Sequence, residues 1–369
     1  MGQVCIGFLN GDRSEKIIIN GDRSMKKVAL FILNESSRDK IYGPDELKRV
    51  NKAVDVYSPM LTYKQIKENP DILKKCNIIL SGWGGPLIDN WFLDKSPELE
   101  AVFYGAGSIR GIVTPEFWEK DIKITSSWTA NAIPVAEFTF AQIILCLKNT
   151  YRLNRLYTDV YPQTAKSAEP GVTYHKLHES KKAYGAYRTV VGIISLGVIG
   201  RLVCGLLKNL DVDVIAYDPI ISRGEAEELG ATLVSLETLF RTSHVVSLHA
   251  PWLPETEGML KGMHFEMMKN GSSFINTARG AIVNEGEMIE VLRKRNDITA
   301  ILDVTDPEPP AADSELFTMN NVFLTPHIAG SMNDECRRMG KYAVDEMLRY
   351  LNGEPLKYLV SEKQFRTMA

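Results

Sequence analysis

The sequence predicts an α/β protein whose parallel sheets are covered by helices on both faces. Three observations carry this reading. Strand-like and helix-like segments alternate from Lys27 to about Lys123, and the same alternation resumes after Asp218. Between them lies TVVGIISLGVIGRLVCGLLKNLDVDVIAYDP, Thr189 to Pro219. Strands separated by helices are joined in parallel, because the crossover helix packs back on the sheet it left. A length of 369 residues suffices for two or three domains.

In order along the chain, NGDRS occurs at Asn10–Ser14 and again at Asn20–Ser24, and Met25 then opens MKKVALFIL, the form of a natural start followed by a first strand. Residues 1–24 are expected to be a leader, an upstream extension or cloning remnant, with a short added hairpin as the alternative. Strands are expected at Val28–Leu33, Ala53–Tyr57, Asn77–Leu80, Ala101–Phe103 and Ile122–Thr125, with helices at Glu46–Asn51 and Tyr63–Glu68 among them. Glycine-rich turns, Gly82-Trp83-Gly84-Gly85 and Gly105-Ala106-Gly107, follow two of the strands. In a parallel sheet such loops lie at the carboxyl edge, where ligands bind, although close turns alone also use these glycines. The apolar stretch Asn131–Lys148 reads as a buried helix starting near Pro134, with proline in the first turn. Residues 151–188 are polar and irregular and lead into the second half.

There, the continuous apolar run Val190–Ile194 has the pattern of a strand buried on both faces. Ile199, Leu202, Val203, Leu206, Leu207 and Leu210 then recur at helical spacing. Val212–Tyr217 is a second strand, and Asp218 stands at its end. Strand, glycine turn, helix, strand and acid, in that order, make a dinucleotide site. Gly197 lets the backbone approach a pyrophosphate, Gly200 lets helix and strand pack closely, and the helix N-terminus faces the phosphates. Asp218 can accept from both ribose hydroxyls and repels a 2′-phosphate, which favours NAD over NADP. The fingerprint G-x-G-x-x-G has Ser195 at its first position, which fits the turn if its φ stays negative, or at modest strain. An ordinary βαβ unit with packing glycines has the same outline.

Further strands are expected at His244–Leu248, Ser273–Asn276, Ile298–Leu302 and Val322–Leu324. Helices are expected at Leu236–Arg241, Met263–Lys269 and about Asn333–Leu351, and another, capped by Asn284, through about Arg295. The polar residues just after these strands, Arg279, Asp303, Glu308 and His327, converge on one sheet edge if the strands are parallel. Each alone has a plainer reading: a surface arginine, a rigid proline loop at DPEPP, a satisfied structural histidine.

Composition adds limits. The chain is 44% hydrophobic and 24% charged, with a net charge of −3 that gives no general attraction to nucleic acid or anionic membrane. No apolar run approaches the length needed to span a bilayer, and no secretory signal is visible. Five scattered cysteines point to neither a zinc site nor a disulfide framework, so no metal is expected and a reducing cytoplasm is the simplest location.

The ordered motifs VVGIISLGVIG with Asp218, LHAPWLPETEGML, INTARGAIV, AILDVTDPEP and LTPHIAGS resemble the D-isomer-specific 2-hydroxyacid dehydrogenase family. The resemblance runs from about Met25 to Leu359. It implies two Rossmann-like parallel-sheet domains: a flavodoxin-like substrate domain from residues 25–150 and 331–369, and an inserted NAD-binding Rossmann domain at 151–330, with the active site between them. It implies Arg279 as the group holding the α-carboxylate, His327 as the general acid/base, and Glu308 as the carboxylate that favours imidazolium and orients the ring. It implies NAD(H) contacts at Ser195, Gly197, Val198, Ile199, Gly200, Asp218, Ala250, Pro251, Thr256, Thr277, Ala278 and Asp303. It implies substrate contacts at Ala106, Gly107 and Asn131 besides Arg279.

The implied activity interconverts a small 2-keto acid and its D-2-hydroxy acid, such as a hydroxypyruvate-, glyoxylate- or phosphoglycerate-like compound, in a homodimer. The alternative is an NAD(H)-sensing protein like the family's corepressor branch. Glu308 separates the chain from formate dehydrogenases, which carry glutamine there, and no segment after residue 369 is expected to add a regulatory amino-acid-binding domain. Trp83, Trp128 and Trp252 lie near the expected site loops and shape either the substrate pocket or the core. Asp218→Ala is expected to relax the preference for NADH over NADPH, measured as the ratio of the two dissociation constants; an unchanged ratio removes Asp218 from the ribose.

Overall fold

The computed structural model describes residues 26–160, 162 and 184–367. The expected leader, residues 1–24, lies outside these, as does most of 151–188. Two wholly parallel sheets organise the chain. The first has five strands in the order β2-β1-β3-β4-β5: β1 Val28–Ile32, β2 Asp55–Val56, β3 Ile78–Ser81, β4 Ala101–Tyr104 and β5 Lys123–Ser126. This is the flavodoxin-like order. The second has seven, in the order β12-β11-β10-β9-β6-β7-β8. Its strands are β6 Tyr187–Ile194, β7 Asp211–Tyr217, β8 Ala231–Leu233, β9 Val245–Leu248, β10 Ser273–Asn276, β11 Thr299–Leu302 and β12 Val322–Leu324. The strand order reverses beside β6, which pairs with β7 on one side and β9 on the other. That reversal opens a crevice at the carboxyl ends of β6 and β9.

Each sheet is buried on both faces, which is why β3, β4, β9, β10 and β11 are fully buried and, apart from the hydrogen-bonded Asn276, built of apolar, aromatic or small residues. The helix Trp128–Leu147 joins the two halves. Its Ala130 packs into the core of the first sheet, while Ala136, Ile143, Cys146 and Leu147 pack into that of the second. It begins six residues before the expected start at Pro134, which therefore stands inside the helix rather than in its first turn. It also corrects the expectation about membrane-length runs: by length and composition it is long and apolar enough to cross a bilayer. More than half of it is buried within the protein, as a strut shared by two cores. Residues 151–188 are not irregular throughout, since Thr150–Arg155 continues in a short helix. The final long helix, Glu335–Leu351, returns to the first sheet and contributes Met339, Ala343 and Val344 to its core.

The glycine turn after β6 departs from the expected geometry at one point. Ser195 has φ +74°, in the left-handed region, not a negative φ. Its N–H donates to Tyr217 O at 2.8 Å, and the next amide, Leu196 N, donates to Asp218 Oδ2 at 2.7 Å. These two bonds fix the turn against β7 and hold serine where glycine is the unstrained residue. Gly200 answers a different demand. A Cβ built there would stand 2.2 Å from Ser195 O, so the helix Val198–Leu207 can seat on the turn only with glycine at that position. Ser195→Gly is expected to raise the unfolding free energy by up to about 1 kcal/mol, the relieved strain being partly offset by glycine's larger unfolded-state entropy. Urea unfolding of Ser195→Gly beside Ser195→Ala checks this, and a glycine variant less stable than the alanine variant contradicts it.

Candidate active site

The carboxyl ends of both sheets face one cleft of about 650 Å³. From the second sheet it is lined by Ser195, Gly197, Val198 and Ile199 after β6, Ala250 and Pro251 after β9, Thr277–Arg279 after β10, Asp303 after β11 and His327 after β12. From the first come Gly107 after β4 and Asn131 on the connecting helix. Residues spread over more than two hundred positions thus meet because parallel strands deliver every following loop to the same edge.

Five expected site residues do not line the cleft. Gly200 lies beneath the turn. Asp218 lies at the end of β7, its Oδ1 accepting from Ile220 N at 2.8 Å. Ala106 is buried, and its carbonyl accepts from Ser127 N and Ser126 Oγ, both at 3.0 Å. Thr256 closes its own turn by accepting from Leu253 N at 2.9 Å and donating to Pro251 O at 2.6 Å. Glu308 reaches the cleft through His327. Trp252 also departs from expectation: it is absent from the lining, largely exposed, and its Nε1 donates to Glu257 Oε2 at 3.1 Å.

The turn after β6 fits a dinucleotide. Gly197 occupies the cap position of a ten-residue helix without a side-chain cap, which leaves first-turn N–H groups for an anion. A Cβ at Gly197 would meet only Ser195 Oγ, at 3.9 Å, so open space lies where phosphates must approach. The Asp218 carboxylate stands beside this turn through its bond to Leu196 N.

The polar groups across the cleft are held in turn by their own partners. Asn276, fully buried at the end of β10, accepts from Ala278 N at 3.0 Å and donates to Arg279 O at 3.0 Å, which shapes the Thr277–Arg279 loop. Arg279 Nη1 donates to Ala278 O at 2.6 Å. Burial pulls the Arg279 guanidinium below its ordinary range, and the negative charge of Glu308 opposes that pull. Gly280 lies against the next loop, where an added Cβ would stand 2.0 Å from the Thr305 carbonyl carbon. The Arg279 loop and the loop carrying Glu308 are therefore in backbone contact. His327 Nδ1 and Glu308 Oε1 are 2.6 Å apart, leaving Nε2 as the ring nitrogen for a substrate oxygen. His327 has φ +53°, and its N–H donates to Asp303 O at 3.0 Å.

Asp303 has more partners than its sequence position foretold. It is 2% exposed and accepts from Thr325 Oγ1 at 2.6 Å, Ile328 N at 2.8 Å and Ala329 N at 2.9 Å. Its carboxylate thus pins the loop on both sides of His327. Asn131 Oδ1 accepts from Ser331 N at 2.9 Å, tying the connecting helix to the second crossing between the sheets. Thr139 Oγ1 and Thr277 Oγ1 pair at 3.0 Å and tie the same helix to the end of β10.

Sequence reasoning passed over several residues here. Asn276 and Ser331 stand inside quoted motifs but look like strand and loop residues. His249 lines the cleft yet is buried. Its Nε2 is 3.0 Å from Ser247 Oγ, and its Nδ1 has no hydrogen-bond partner among the described residues. Burial drives its pKa down from 6.5 to about 3, so the ring is neutral.

Residues 149–329 match the model described as the D-isomer specific 2-hydroxyacid dehydrogenase NAD binding domain. The chain is 28% identical over 311 residues to D-3-phosphoglycerate dehydrogenase of Archaeoglobus fulgidus, covering 84% of this chain and 52% of that protein. It is 26% identical over 291 residues to glyoxylate reductase of Korarchaeum cryptofilum, covering 79% and 84%. The chain spans about half the length of the first two curated relatives it matches. Among solved structures, the NAD-complexed D-isomer specific 2-hydroxyacid dehydrogenase of Lactobacillus delbrueckii ssp. bulgaricus has the same fold. Its TM-score is 0.72 at 22% identity, over 91% of this chain and 100% of that one.

The neutral His249 ring makes stability depend on acid. Its folded pKa lies below the unfolded value of 6.5, so the unfolded chain binds the proton first. Its contribution is fully present above pH 6.5 and is lost as pH falls toward 3. Between pH 8 and pH 5 this amounts to about 2 kcal/mol. Urea unfolding at the two pH values is expected to show that loss in the native protein and a smaller loss in His249→Gln.

Proposed function

We propose that the chain, which carries the NAD-binding domain of the D-isomer-specific 2-hydroxyacid dehydrogenase family, interconverts a 2-keto acid and the D-2-hydroxy acid, using NAD(H). The observation that carries this reading is the joint placement of Arg279 and the Glu308–His327 pair at one cleft, on the same sheet edge as the glycine turn. We assign residues 25–150 and 331–369 to the substrate domain and 151–330 to the NAD-binding domain.

The turn at Ser195–Gly200 and the acid Asp218 would hold NADH, with Ala250, Pro251, Thr277 and Ala278 along the cleft beyond them. When bound, NADH supplies the hydride that reduces the carbonyl carbon. Arg279 grips the α-carboxylate through its planar guanidinium, and its partial burial strengthens that contact. It also draws electron density from the adjacent carbonyl. His327, held through Nδ1 by Glu308, donates its Nε2 proton to the carbonyl oxygen, and in oxidation the same nitrogen takes the proton back. Asp303 fixes the His327 loop so that this nitrogen needs little reorganisation. Ala106 and Gly107 form the loop backbone near the carboxylate, and Asn131 stands beside it.

Loss of NADH absorbance with a panel of 2-keto acids tests the reading. Turnover of at least one supports it. Tight NADH binding with no turnover assigns the chain to the sensor alternative, and no NADH binding rejects both. His327→Ala is expected to lower kcat by roughly 10²- to 10⁴-fold while NADH affinity, followed by fluorescence titration, stays within a few fold; undiminished turnover removes His327 from the proton transfer.

A further inference from the structure

The wall of the cleft contributed by the first sheet carries three aromatic residues beside Gly107, Ser108 and Asn131. Trp83 follows β3, Tyr104 ends β4 and Trp128 follows β5, so three successive strands each deliver one ring to the cleft. The rings are held in place. Asn34 N donates to Trp83 O at 2.9 Å and fixes its turn. Tyr104 is 5% exposed, and burial pushes its phenol up to about 12, so it stays neutral. The Trp128 indole meets the Tyr358 ring edge to face at 6.2 Å.

The charges in the cleft are few and mostly committed. Among the described lining residues, Arg279 is the only lysine or arginine and Asp303 the only carboxylate. The Asp303 oxygens already accept three hydrogen bonds. Once Arg279 pairs with the α-carboxylate, no second guanidinium or ammonium lines this wall. A phosphate or second carboxylate would lose water there without a cation to replace it, a costly transfer. An aryl or branched alkyl group loses only unfavourable hydration and gains edge-to-face contacts.

We propose that the preferred substrate is a 2-keto acid with an uncharged apolar side chain, aromatic or branched aliphatic, seated against Trp83, Tyr104 and Trp128. This inference rests on the reductase reading above and narrows it, setting aside phosphoglycerate-like acids.

The full chain with NADH is assayed on phenylpyruvate, 2-ketoisocaproate, glyoxylate, 2-oxoglutarate and 3-phosphohydroxypyruvate. Each buried methylene is worth roughly fourfold, so kcat/KM for the better apolar acid is expected to exceed that for glyoxylate by about tenfold or more. Missing charge compensation is expected to place the phosphorylated and dicarboxylic acids about 100-fold below it. A charged acid, or glyoxylate, that equals or surpasses both apolar acids overturns the proposal while leaving the reductase reading intact. Tight NADH binding without reduction of any acid removes both. In a second test, Trp83→Arg is expected to raise the ratio of 3-phosphohydroxypyruvate to phenylpyruvate turnover by about tenfold; an unchanged ratio counts against the side chain lying on this wall.

Discussion

The candidate site depends on one buried carboxylate. Asp303 ends β11 in the interior of the second domain, where an unpaired charge would be strongly unfavourable. Its three donors all come from the segment after β12, and they keep the carboxylate satisfied only while that segment retains its shape. The left-handed backbone at His327 is held by the same arrangement, since its amide donates to the Asp303 carbonyl. The exposed Glu308–His327 pair contributes little to stability by itself. It is the buried hydrogen-bonded support beneath it that gives the imidazole a fixed place.

A second constraint is the connecting helix. Because Trp128–Leu147 belongs to both cores, neither sheet can be covered without placing the other. Asn131 near its start reaches the second crossing, and Thr139 in its middle reaches β10. The cleft is thus bounded by the helix that joins its two walls, and Asn131 and Thr139 of that helix are attached to loops that line the cleft.

Most of this architecture was legible because fully buried parallel strands leave continuous apolar runs. Ser273–Asn276 and Val322–Leu324 appear with the expected ends, and Asn284 caps its helix by accepting from Glu287 N. Shorter pieces were not legible. Ala231–Leu233 has three residues, one buried, one exposed and one half-buried, too few for a period, and was not foreseen. The start of the connecting helix was masked by Pro134, a residue that normally marks a first turn but here stands inside the helix. At the site, the sequence placed polar residues after strands but, beyond the Glu308–His327 pair that the resemblance implied, carried no sign of their bonding partners. That Asp303 holds a loop, that Ser195 is left-handed, and that Asn276 shapes the arginine loop follow only from three-dimensional contacts.

The backbone contact at Gly280 has a consequence for how such a cleft can diversify. The guanidinium loop and the loop carrying Glu308 are pressed together with no room for even a methyl group, so neither can shift without the other. Of the three rings, Trp83 and Tyr104 stand on the other sheet and Trp128 opens the helix shared by both. On the proposed reading, reaction chemistry and side-chain preference occupy separate walls, so exchanging Trp83 or Tyr104 for a charged or smaller residue would leave the Glu308–His327 contact intact.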